Sequence, residues 1–108
     1  KILSLNKMNF DTYEKLADET DLGHPLNYYF LGLVEESGEV AGLRKRFLRD
    51  EGNIDGEKLK KELGDVIWYV AMIGKRYNIS MDDVAVTNIQ KLADRKERGV
   101  ITGAGDER

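Results

Sequence analysis

Acidic residues stand where a packed helix needs apolar ones, twice, and that conflict limits what this chain can become. Tyr29, Leu33, Glu36, Val40, Leu43 and Phe47 recur at spacings of four and three, the interval at which side chains share one face of an α-helix. Glu36 interrupts that stripe. Leu59, Glu62, Val66, Tyr69 and Ile73 repeat the pattern, with Glu62 as the interruption. Glu39 follows Glu36 by three residues and Asp65 follows Glu62 by three, so each pair projects from one side of its helix.

Four carboxylates turned inward repel one another and lose hydration, which costs several kcal/mol per ion in a dry interior. A bound cation is the natural compensation. The chain has no Cys and a single His, His24, so thiolate or nitrogen-rich coordination is ruled out. An oxygen-only set suits a hard divalent ion, Mg²⁺ first and Mn²⁺ or Ca²⁺ after it. Mg²⁺ keeps part of its water shell and takes further oxygens from phosphates, which makes a phosphate ester or anhydride the expected ligand.

A length of 108 residues is enough for one domain with one core and too short for two. With 41% hydrophobic and 34% charged residues, the composition is that of a helix-rich soluble domain. The formal charge of −3 and the lack of a strong basic tract argue against duplex nucleic acid or an anionic membrane as partner. No apolar run approaches the ~20 residues that cross a bilayer, and the first residues show no signal-peptide pattern, so the cytoplasm is the expected compartment. The chain starts at Lys1, as a trimmed fragment would.

Four helices are predicted. The first runs from Phe10 to Thr20 behind an Asn9 cap, and Pro25 suits the opening of the second, over Leu26 to Leu48. Gly32, Gly38 and Gly42 inside it each cost up to ~1 kcal/mol relative to Ala, which points to close packing or a loosened helix. A polar loop from Arg49 to Gly56 lacks the ligand alternation of an EF-hand. Asp55 caps the third helix, to Tyr77, which becomes apolar on all sides after Asp65 and so expects burial on more than one face. Ser80 with Asp83 has capping-box spacing and opens the fourth helix, whose core stripe is Met81, Ala85, Ile89 and Leu92. Beside that stripe Val84, Asn88, Lys91 and Arg95 form a second row, placing an amide and two cations in line. Residues 1–98 are read as one all-α domain. Residues 99–108 are read as a Gly-rich, mobile tail, whose Thr102, Asp106 and Arg108 are candidates to close over a ligand.

Glu35-Glu36-Ser37-Gly38-Glu39 followed by Glu62-Leu63-Gly64-Asp65 resembles the EExxE…ExxD signature of the MazG-like all-α nucleoside triphosphate pyrophosphohydrolases. Asn88 to Lys96 resembles that family's NxxKLxxRK helix. The resemblance implies a four-helix-bundle-like fold completed as a homodimer or homotetramer. It also implies a Mg²⁺-dependent enzyme, with Mn²⁺ as a possible substitute, that cuts a (deoxy)nucleoside triphosphate into monophosphate and pyrophosphate. Glu36, Glu39, Glu62 and Asp65 are then the metal ligands between the second and third helices. Asn88, Lys91, Arg95 and Lys96 are the substrate-binding residues, with the fourth helix closing the phosphate side.

Glu35 is offset from Glu36 by about 100° around the helix and is the candidate to orient or deprotonate the attacking water. A dUTP/dUDP diphosphatase of the same superfamily and a non-catalytic metal–nucleotide or helix-binding module are the alternatives. A di-iron bundle needs Glu-x-x-His pairs, and His24 stands in none.

Overall fold

The computed structural model describes residues 5–108; the reading of residues 1–4 as the start of the domain, free of a signal-peptide pattern, lies outside them. A 3-10 turn at Leu5–Lys7 precedes four α-helices: α1 (Phe10–Asp18), α2 (Leu26–Asp50), α3 (Gly56–Arg76) and α4 (Met81–Arg98). There is no strand among the described residues, so the chain is all-α as expected.

The helix starts follow from local chemistry. The first N–H groups of a helix have no partner inside it, and a short polar side chain at the cap supplies one. Asn9 accepts from the Thr12 N–H at 2.8 Å, Asp55 from the Glu57 N–H at 2.9 Å and Ser80 from the Asp83 N–H at 3.0 Å. At the last of these, Glu14 on α1 also accepts from the Met81 N–H, so α4 is capped partly by another helix. Pro25 stands at the cap position of α2, in extended conformation and without a side-chain cap bond.

α2 and α3 pair along the two interrupted stripes, and this hairpin is the dominant packing unit. Tyr29 is fully buried, and the other apolar members of both stripes are half-buried. Gly32 is required here, because a Cβ at that position would overlap the ring of Tyr69. Gly38 faces open space, so close packing explains the first glycine of α2 and not the second. Ala17, Tyr29, Ala71, Met72 and Met81 form the buried centre, with Tyr13, Trp68, Tyr69 and Ile73 against it.

The turn between α1 and α2 is fixed by polar contacts on this centre. The Tyr29 hydroxyl donates to Asp21 Oδ1 and accepts from the His24 N–H at 2.9 Å. The Arg76 guanidinium lies 4.5 Å from the Tyr29 ring centroid and donates to the His24 carbonyl at 2.7 Å. Burial pushes the Asp21 carboxyl up, but hydrogen bonds from Tyr29, the Gly23 N–H and Lys75 outweigh it and hold the group below its ordinary range.

α4 packs on α1 and α3 and does not reach α2. Of its expected core stripe Met81 is buried and Ala85 half-buried, whereas Ile89 is 65% exposed and Leu92 is exposed as well. The stripe runs past the end of the surface that one chain offers it. On the outer face of α2, Leu31 and Val34 are 70% and 71% exposed. A compact chain of this length has a radius of gyration of about 13 Å; here it is 16.6 Å.

Beyond α4 the chain turns back on itself. Gly99 adopts left-handed backbone at φ 74°, the Gly99 N–H donates to Lys96 O and the Val100 N–H to Arg95 O at 2.9 Å. This is the Schellman arrangement, in which a left-handed glycine lets the chain reverse and satisfy the last carbonyls. Arg108 then donates to the carbonyls of Val100, Ile101 and Gly105.

Candidate active site

The pairing of α2 with α3 brings Glu36, Glu62 and Asp65 together, each offering a carboxylate oxygen within 4.8 Å of the others. Glu36 and Glu62 are half-buried and Asp65 is exposed. None of the three makes an ion pair among the described residues. Burial, and after it the charges of Asp65, Glu35, Glu62 and Glu39, push the Glu36 carboxyl above its ordinary range. Three carboxylates so close together, one of them driven toward its protonated form, are a set of oxygens that could hold a hard divalent ion.

Glu39 is exposed and falls outside the group of three, although its charge still acts on Glu36. Glu35 is exposed too, next to the cluster in sequence and felt by both Glu36 and Tyr69.

An open cavity of about 380 Å³ adjoins the acids, lined by Thr20, Glu36, Asp65, Trp68 and Tyr69. The Trp68 indole N–H donates to Thr20 Oγ1 at 2.8 Å, which ties the end of α1 to the cavity wall. Burial pushes the Tyr69 hydroxyl up to about 12, with Tyr28, Glu36 and Glu35 adding to the shift, so it stays a neutral hydrogen-bonding group. Tyr13 is shifted the same way by burial and by Asp65.

Spacing put Tyr69 in the apolar stripe of the third helix and assigned none of Thr20, Trp68 and Tyr69 to a ligand site. The available signal was that Tyr69 lies four residues after Asp65, one helical turn along the same face. A larger cavity of about 530 Å³ lies among α1, the end of α3 and the start of α4. Most of its charged groups are engaged, Lys75 with Asp18, Lys15 with Asp11 and Glu14 with the Met81 N–H, which leaves Asp83 as the one lining charge whose side chain has no such partner among the described residues.

The fourth-helix residues are not gathered at the acids. Lys91 Nζ and Arg95 Nη2 both donate to Asp106 Oδ1 at 3.0 Å, so the tail, not α2, faces them. Asn88 and Lys96 are exposed. The expectation that α4 closes the phosphate side is therefore not met within one chain, because α4 is carried by α1 and α3 and has no contact with α2.

The chain is 38% identical over 114 aligned positions to the protein called Gene 37 protein of Mycobacterium phage L5, covering 94% of this chain and 100% of the relative. No solved structure matches it. The family model described as the MazG nucleotide pyrophosphohydrolase domain matches residues 26–100, the stretch that holds α2, α3, α4 and every acid of the cluster, and the chain belongs to that family.

Proposed function

We propose that this chain is a Mg²⁺-dependent hydrolase that converts a (deoxy)nucleoside triphosphate and water into the monophosphate and pyrophosphate. The observation that carries the reading is the set of three unpaired carboxylates, Glu36, Glu62 and Asp65, within 4.8 Å of one another on two paired helices of a MazG-family chain. All the donors are oxygens, which suits Mg²⁺, with Mn²⁺ as a substitute. Glu36, Glu62 and Asp65 would hold the ion, with Glu39 one turn along α2 as a further ligand. When bound, the metal supplies charge neutralisation for the phosphate chain.

The protein's own part is positional. Glu35 orients the attacking water or takes its proton, as water adds to the α-phosphorus and the bond to the bridging oxygen of pyrophosphate breaks. Thr20, Trp68 and Tyr69 wall the open cavity beside that step. Asn88, Lys91, Arg95 and Lys96 bind the phosphates. A second copy of the chain would supply those cations, and the uncovered apolar faces of α2 and α4 support a dimer or dimer of dimers in which one copy's α4 meets another's acids. Nucleoside triphosphates, and no duplex nucleic acid or membrane, are the partners, and the cytoplasm is the compartment in which they are met.

The test is hydrolysis of ribo- and deoxynucleoside triphosphates, with dUTP and dUDP included, in Mg²⁺ and with pyrophosphate resolved from orthophosphate. Pyrophosphate and monophosphate are expected, and Glu62→Gln should abolish them. Glu35→Gln should stop turnover while leaving Mg²⁺ binding intact. Mg²⁺-dependent nucleotide binding without turnover of any substrate would refute the enzyme and leave a binding module.

A further inference from the structure

We propose that Asp106 is an internal competitor for the phosphate-binding cations, holding Lys91 and Arg95 until an incoming polyphosphate displaces it. The inference rests on the reading of those two residues as phosphate-binding and adds what occupies them in the free protein. One oxygen, Asp106 Oδ1, accepts from both Lys91 Nζ and Arg95 Nη2 at 3.0 Å. The two cations hold the Asp106 carboxyl below its ordinary range.

The partners are held very differently. The Arg95 side chain is 5% exposed, on a regular helix, whereas that of Asp106 is 77% exposed in a turn beyond that helix. Among the described residues no other carboxylate pairs with either cation. Arg95 is thus fixed, Lys91 at 36% exposure is open to solvent, and their shared partner is removable, a combination that suits exchange of one anion for another. A terminal phosphate brings more charge and more oxygens than one carboxylate, and the planar guanidinium fork matches it better.

The tail is built to return to this place rather than lying there by default. The Schellman turn at Gly99 sends the chain back along α4. Gly103 at φ 145° and Gly105 at φ 79° adopt backbone that side chains rarely allow, and a Cβ on Gly103 would stand 2.9 Å from Arg108 Cδ. Arg108, donating to three carbonyls of the same segment, closes the loop that presents Asp106.

The experiment uses the full chain, ¹⁵N-labelled, in EDTA and titrated with inorganic tripolyphosphate, so that neither metal nor turnover enters. Partly exposed ion pairs each shift an equilibrium by up to about fivefold, so Asp106→Asn should bind tripolyphosphate about three- to tenfold more tightly than wild type. In wild type the Gly103 and Gly105 amide resonances should shift as the anion binds and Asp106 leaves, and in Asp106→Asn they should start near those shifted positions. Lys91→Ala should weaken binding in both backgrounds. Equal or weaker binding by Asp106→Asn, undiminished binding by Lys91→Ala, or saturation with the glycine amides unmoved would overturn the proposal. Nucleotide turnover measured on the same variants separates the two readings. Turnover with no effect of Asp106→Asn on tripolyphosphate removes the competitor and leaves the reaction, whereas tighter binding without turnover removes the reaction and leaves the competitor.

Discussion

Removing the charge of Glu36 should stabilise the metal-free protein. Glu36, Glu62 and Asp65 lie within 4.8 Å of one another, and two unit charges at that distance repel by about 0.9 kcal/mol even in water. Glu36 has two such neighbours, so about 1.7 kcal/mol is stored against it, and physiological salt reduces this to about 1 kcal/mol. Partial burial raises the figure, so it is a lower value. The sign follows from linkage. Burial and the neighbouring acids raise the Glu36 carboxyl in the folded chain, so the native state keeps its proton to higher pH than the unfolded chain does. Between the ordinary carboxylate range and the raised value, stability falls as pH rises. Glu36→Gln is neutral at every pH and escapes that loss. Thermal unfolding in EDTA at neutral pH should show Glu36→Gln melting roughly 4–8 °C above wild type, the shift that about 1 kcal/mol gives a domain of this size. Mg²⁺ should reverse the order, raising the wild-type midpoint and leaving the variant where it was. A variant that melts at or below wild type in EDTA refutes the electrostatic account of the cluster.

Three further outcomes test the packing around this site. Tyr29→Phe leaves Asp21 without its hydroxyl donor and the His24 N–H without an acceptor, and should cost about 1–3 kcal/mol in chemical denaturation; a neutral result would mean water replaces both bonds. Gly38→Ala should stabilise a single chain by about 0.5–1 kcal/mol, since nothing stands within 4 Å of the added methyl group; destabilisation together with loss of association would place a second copy against that face. Trp68 is the single tryptophan and lines the acid cavity, so its fluorescence should respond to a Mg²⁺–nucleotide complex in wild type and not in Glu62→Gln. Equal responses in both would put the ligand elsewhere.

Residue spacing made the α2–α3 pairing legible because both halves of the problem are local. The residues of the two stripes that spacing placed inward are the ones the structure packs, from Tyr29 to Phe47 and from Leu59 to Ile73, and the acids that interrupt them meet because the hairpin forces the stripes together. The helix starts were legible for the same reason, since Asn9, Asp55 and Ser80 act on N–H groups two or three residues away. What spacing left open depends on partners far along the chain. Gly32 reads as a loss of helix propensity until Tyr69 is seen against it, and Trp68 reads as core until its indole N–H is seen on Thr20.

The fourth helix is the instructive case. Its periodicity names Ile89 and Leu92 as core, but periodicity reports only that one face is apolar, not that the same chain covers it. Nothing local says that α4 sits on α1 and α3, which leaves both residues exposed. The row Asn88, Lys91 and Arg95 likewise reads as an amide and two cations awaiting an anion. The nearest anion proves to be Asp106, brought back by a turn at Gly99 that no helical period encodes. Two faces of one helix are thus left incomplete in different ways. The apolar face lacks a cover within the chain, and the cationic face has a cover that is exposed and exchangeable. If a second copy supplies the first, the cations it carries must still shed Asp106 before they serve its neighbour's acids, which makes tail release and association separable steps.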